Sequence, residues 1–138
     1  MDFFVYKKQQ SVRIFVVVLA VLFLDQSCKL IVLEKFADIY LKKNYSSLLG
    51  LSANLYLFFL FLLAALAYFK KDIFFKSKDG AIFASALLFG GIISNAVDMF
   101  FYGYIVDYIT FPKLFSFNIA DLAICAGAFI IVWKILKK

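Results

Sequence analysis

The sequence predicts an all-α integral membrane protein, a four-transmembrane-helix bundle with one extended or interfacial segment at a single face of the bilayer. Three observations predict it. Of 138 residues, 65% are apolar and 17% charged, a composition typical of membrane proteins and not of soluble domains. The apolar residues fall into four runs, each long enough at 1.5 Å per residue to cross most or all of a hydrocarbon core about 30 Å thick. The Lys residues gather at the ends of those runs and leave no basic face, so the net charge of +6 reads as membrane orientation and not as a nucleic-acid surface.

The first span is expected over residues 14–33, after a polar start holding Lys7, Lys8 and Arg13. A basic start before an apolar run also resembles a signal peptide, with Cys28 as a lipoprotein cysteine. Asp25, Gln26 and Ser27 make a poor approach to a cleavage site, however, and further spans follow. Within the helix, Asp25 lies roughly 18 Å beyond Arg13. Lys29 follows Asp25 by four positions, so both face one side, in the favoured acid-first order. That pair is either self-neutralising at a helix end or a support for a site. Residues 34–47 are too polar to span and are expected at the surface, with Tyr40 and Tyr45 at headgroup level.

The second span is expected over 48–69, followed by a loop with Lys70, Lys71, Lys76 and Lys78. The third is expected over 80–98, about 28 Å long, which places Asp98 at the surface opposite Asp79. From Met99 to Phe117 the aromatic and β-branched residues around Gly103 and Pro112 read as a non-spanning extended or looped segment. The fourth span is expected over 118–135. Four crossings make a single membrane domain of residues 1–138, with both termini on one side. The N-terminal segment, the 70s loop and the C-terminus (Lys134, Lys137, Lys138) hold ten Lys/Arg. The opposite side holds five: Lys29, Lys35, Lys42, Lys43 and Lys113. The richer side, with both termini, is the cytoplasmic one.

This topology gathers Asp25, Asn44, Asn95, Asp98, Asp107, Asn118 and Asp121 toward the outer leaflet. A mid-membrane Asp costs at least about 2.5–3.5 kcal/mol, so acidic groups in such sequence point to function. Asn118 and Asp121 could instead cap the fourth helix. Capping explains Asp107 less well, since it sits in YGYIVDYI with no adjacent cation. Two carboxylates sharing a site repel, so one is ionised and takes a proton from water while the other stays protonated and donates. That pair hydrolyses an amide without metal or nucleophilic side chain. The absence of histidine excludes Ser-His-Asp and Cys-His catalysis and histidine-bound metal, and two cysteines make neither a disulfide framework nor a zinc knuckle.

At these residues the chain resembles the bacterial lipoprotein signal peptidases, or signal peptidase II, from Asp25 to Trp133. Their Asp-Gln-x-x-Lys motif is matched by Asp25, Gln26 and Lys29, and their Gly-Gly-x-x-Gly-Asn-x-x-Asp-Arg motif by Gly90, Gly91, Asn95 and Asp98. Gly103, Ile105, Val106, Asp107 and Tyr108 match a third motif, and Phe117, Asn118, Ala120 and Asp121 a fourth. The resemblance implies an aspartic peptidase with Asp107 and Asp121 as catalytic pair, supported by Asn44, Asn95, Asn118, Asp98 and the Asp25–Lys29 motif. It implies a diacylglyceryl-modified prolipoprotein substrate, cut before its lipidated cysteine at the periplasmic face of the bacterial inner membrane. It implies no metal and no organic cofactor; the chain is expected to be a monomer among membrane lipids, with no nucleic-acid partner. Three departures are specific: Ser94 stands for a glycine, Met99 for an arginine, and Ser46 to Leu49 lack a glycine and an Ala-Phe pair. Without that arginine Asp98 needs another cation, and Lys29 is the candidate if the first and third spans pack together.

Two other readings remain at this point. One is a small transport or accessory subunit with an acidic ion path, which would place carboxylates at several depths. The other is a relative that binds lipidated signal sequences without cutting them.

Overall fold

The computed structural model describes residues 3–45, 80–111 and 115–137. The expected second span, the 70s loop, Pro112, Lys113 and the Ser46 to Leu49 departures lie outside the described residues. Helix α1 runs Phe3–Lys35, a short helix α2 covers Ala37–Tyr40 and strand β1 covers Lys42–Asn44. After the undescribed stretch come helix α3 (Gly80–Tyr102), strands β2 (Ile105–Asp107), β3 (Ile109–Phe111) and β4 (Phe115–Phe117), and helix α4 (Ile119–Leu136).

Among the described residues, α1 and α3 are long and apolar enough to cross a membrane. The 33 residues of α1 make a rod about 50 Å long, so it exceeds the span expected over 14–33 at both ends. Its polar first residues keep helical hydrogen bonds because nothing before Arg13 breaks them: Gln9, Gln10 and Ser11 are tolerated, and no Gly or Pro intervenes. Phe15, Phe23, Phe89 and Phe129 are all exposed on their helices, which suits side chains facing lipid.

Helix α3 packs against α4 on one side and α1 on the other. Its contact with α4 is made by small residues, as expected where lipid supplies no hydrophobic drive between helices and close packing must serve instead. A Cβ at Gly91 would stand 2.4 Å from the backbone oxygen of Ala120, so glycine sets how near the two helices come. Further along, Ala84, Leu88, Ala128 and Ile131 form the apolar core between them. The polar side chains collect at the other end.

Helix α3 continues one turn past the expected end, to Tyr102, because Met99 to Tyr102 hold no helix breaker. Gly103 stops it with φ of +73°, a left-handed conformation that favours glycine, and its amide closes on the Met99 carbonyl. The chain then forms two small antiparallel pairs where a loop or extended segment was expected. Strands β1 and β2 pair Lys42 with Asp107 and Asn44 with Ile105; β3 and β4 pair Ile109 with Phe117. The first pairing brings the segment after α1 alongside the one after α3, although 63 residues separate Asn44 from Asp107.

Candidate active site

Four carboxylates and one ammonium are buried together where α1, α3, α4 and β2 meet. Asp25, Asp98 and Asp107 are fully buried, and Lys29 and Asp121 are 1% exposed. Lys29 comes from the polar stripe of α1, and Asp25 one turn earlier shares its face. Its Nζ lies 2.6 Å from Asp25 Oδ2, 2.7 Å from Asp98 Oδ2 and 3.0 Å from Asn95 Oδ1. Three protons thus meet three acceptors, which is the whole donor capacity of an ammonium. The cation expected to serve Asp98 is therefore Lys29, and the Asp25–Lys29 pair is no isolated helix-end bridge. Met99, where the arginine was expected, is 43% exposed and outside this network.

Each of the two carboxylates bound to Lys29 also accepts a backbone amide. Asp25 Oδ1 accepts from Ala120 at 3.0 Å, and Asp98 Oδ2 from Val106 at 3.0 Å. Those are the residues immediately before Asp121 and Asp107. One ammonium thus links two carboxylates that each hold the chain beside one member of the expected pair.

The first turn of α4 leaves amides with no helical partner, and three elements supply acceptors. Asn118, just outside the helix and not inside it as expected, accepts from the Asp121 amide at 2.9 Å. Asp25 takes the Ala120 amide, and the Tyr108 hydroxyl takes that of Ile119 at 3.3 Å. Burial and the nearby Asp25 raise the Tyr108 pKa, so its hydroxyl keeps the proton it donates to Asp25. The capping role considered for Asn118 is thus present, yet the same side chain also reaches Asp107. Its Nδ2 donates at 2.9 Å to Asp107 Oδ1, with longer contacts to Asn95 Oδ1 and the Val106 carbonyl.

Asp107 and Asp121 are joined through this amide framework. Asn95 Nδ2 donates to Asp121 Oδ1 at 2.8 Å, and Asn95 Oδ1 accepts from both Lys29 and Asn118. Asn44 Nδ2, brought in by the β1–β2 pairing, donates to Asp107 Oδ2 at 3.0 Å. All eight expected site residues belong to one connected hydrogen-bond network. Burial, and then the charge of Asp121, push the Asp107 pKa up to about 7 against the opposing influence of Asn44, Lys29 and Asn118. Among the described residues, Asp121 Oδ2 is the buried side-chain atom with no hydrogen-bond partner. No group of His, Cys, Asp and Glu suited to a metal ion occurs among the described residues.

Two polar residues beyond the expected site, Gln26 and Ser94, join the network. Gln26 Nε2 donates to Asp98 Oδ1 at 2.8 Å, and Ser94 Oγ donates to Asp25 Oδ2 at 2.7 Å. Ser94 lies four residues before Asp98 and so on the same helix face, but that spacing does not show that its hydroxyl reaches Asp25 on another helix.

The model of the signal peptidase II family matches residues 17–137, nearly the whole chain. The chain belongs to that family. It is accordingly an aspartic-type signal peptidase, an enzyme of lipoprotein processing in membranes. It is 28% identical over 134 residues to the lipoprotein signal peptidase of Halothermothrix orenii, covering 86% of this chain and 92% of that protein. To that of Polynucleobacter necessarius it is 32% identical over 100 residues, covering 68% of this chain and 53% of the relative. Among solved structures, a bacterial membrane enzyme determined by the in meso method at 2.3 Å resolution superposes with a TM-score of 0.64. The two are 26% identical, and the match covers 91% of this chain and 88% of that one.

Proposed function

We propose that this signal peptidase II cleaves diacylglyceryl-modified prolipoproteins just before the lipidated cysteine, with Asp107 and Asp121 as its catalytic pair. The observation that carries the assignment is the contrast between the pair and the other buried carboxylates. Asp25 and Asp98 are saturated with donors and bound to Lys29, which suits supports that hold the framework in place. Asp107 has a pKa near 7, and Asp121 keeps one oxygen free of protein partners. These are the properties needed by groups that exchange protons.

In the proposed reaction the pair shares one proton. The ionised carboxylate takes a proton from a water molecule, whose oxygen adds to the scissile carbonyl carbon. The protonated carboxyl donates to the carbonyl oxygen. Collapse of the tetrahedral intermediate breaks the C–N bond, and the proton taken from water passes to the departing amine of the cysteine. No metal and no organic cofactor enters any step. Asn118 and Asn44 each hold one oxygen of Asp107, and Asn95 holds one oxygen of Asp121, leaving Asp121 Oδ2 for water and substrate.

The proposed architecture is a four-helix membrane bundle acting as a monomer in the bacterial inner membrane, with cytoplasmic termini and the site toward the periplasmic face. The clustering of the buried carboxylates at one end of α3 supports surface proteolysis over an ion path. The test is incubation of purified Asp107→Asn and Asp121→Asn with a diacylglyceryl-modified prolipoprotein. Asparagine keeps volume and hydrogen bonding but neither takes nor gives the required proton. Each variant is expected to insert normally and to lose several powers of ten in the rate of forming the shortened product. Near-normal cleavage by either removes the pair from the mechanism.

A further inference from the structure

We infer that Ser94, which occupies a glycine position of the family pattern, is a positioning residue for Asp121, acting through Asp25. The inference rests on the catalytic role proposed for Asp121. Ser94 is completely buried on α3, one residue before Asn95. Its hydroxyl donates to Asp25 Oδ2 at 2.7 Å and accepts from Gln26 Nε2 at 3.0 Å, while its backbone carbonyl accepts from the same Nε2 at 3.1 Å. Gln26 in turn donates to Asp98.

The need for that hydroxyl follows from charge. Lys29 is shared between two buried carboxylates, so neither Asp25 nor Asp98 has a full cation of its own. Asp98 gains the Gln26 amide and the Val106 amide; Asp25 gains the Ala120 amide and the Ser94 hydroxyl. Hydrogen bonds to an ionised acceptor are shorter and stronger than neutral ones, and the Ser94 contact has that short length. Asp25 Oδ1, fixed in this way, holds the amide next to Asp121. A glycine at 94 would supply the backbone carbonyl for Gln26 but no donor for Asp25.

The test compares wild type and Ser94→Ala, purified in micelles, for kcat and KM on a diacylglyceryl-modified prolipoprotein and for thermal midpoint. It repeats both measurements in an Asp25→Asn background. We expect kcat to fall about tenfold or more in Ser94→Ala with KM within about twofold, and a clearly smaller fall when Asp25 is already neutral. Unchanged kcat, equal falls in both backgrounds, or a lowered midpoint with kcat intact would each overturn the inference. Ser94→Gly removes the same hydroxyl and restores the residue of the family pattern, and it replaces the alanine variant if that one fails to accumulate. Failure of both to insert assigns Ser94 to packing and also overturns it. Asp121→Asn assayed alongside separates the two claims: full cleavage there sinks the catalytic reading, whereas an inactive Asp121→Asn with an unaffected Ser94→Ala sinks only this one.

Discussion

Removing the Asn44 side chain is expected to move the alkaline limit of cleavage upward. Asn44 Nδ2 donates to Asp107 Oδ2 at 3.0 Å, and this bond favours the ionised carboxylate. A hydrogen bond to a charged group contributes about 1.5–3 kcal/mol, and one pH unit corresponds to about 1.4 kcal/mol. Asn44 is half-buried, so water replaces part of the lost bond, and the lower end applies. Asn44→Ala should therefore raise the Asp107 pKa from about 7 by about one unit. A raised carboxyl pKa means that the proton is retained to higher pH. The alkaline limb, which in the proposed mechanism reports loss of the proton held by the pair, should move up by the same amount. The assay is the initial rate of prolipoprotein shortening between about pH 5 and about pH 9, where the profile of an acid–base pair has both limbs. The maximal rate should fall while the ratio of variant to wild type increases with pH above 7. An unmoved limb, or one moved to lower pH, would refute the assignment of that limb to Asp107.

Met99→Arg should be tolerated, with kcat/KM at or above wild type, because Asp98 already has Lys29 and Met99 is exposed; loss of cleavage at normal expression would mean that the pocket depends on methionine. Gly91→Ala places a methyl 2.4 Å from the Ala120 oxygen and should cost about 1–3 kcal/mol by overpacking, read as a lower denaturation midpoint in micelles. An unchanged midpoint would contradict the close approach of α3 and α4. Reporter fusions after Lys71 and Lys138 should signal cytoplasm and one after Lys113 periplasm; a cytoplasmic signal at Lys113 would overturn the proposed orientation.

Much of this fold is written in its hydropathy and its breakers. The apolar runs behind α1, α3 and α4 are long and uninterrupted, and Gly103 marks where α3 must end. Strands β2 to β4 were legible only as extended or looped chain, and β1 only as part of a surface segment. Pairing of Lys42 with Asp107 depends on a neighbour 65 positions away in sequence, and three-residue strands carry no periodicity from which register can be read. In the site, carboxylates and amides in apolar sequence stand out by their cost. Ser94 does not, because a serine in a membrane helix can satisfy its hydroxyl within its own turn, so its long-range bond to Asp25 had no distinct signature.

The two roles of the buried carboxylates depend on each other. If Asp25, Asp98, Asp107 and Asp121 were all ionised around Lys29, the network would hold three uncompensated negative charges away from water, which is a severe penalty in a low dielectric. Lys29 bridges Asp25 and Asp98, and further donors occupy both oxygens of each of those two carboxylates. The remaining excess bears on Asp107, whose pKa burial and the charge of Asp121 push up to about 7, as the proposed proton sharing requires. Committing Lys29 to Asp25 and Asp98 thus supports the proposed proton sharing between the other two. Asp25 and Asp98 also grip the Ala120 and Val106 amides, so the two carboxylates that bind Lys29 also set where the proposed catalytic pair stands.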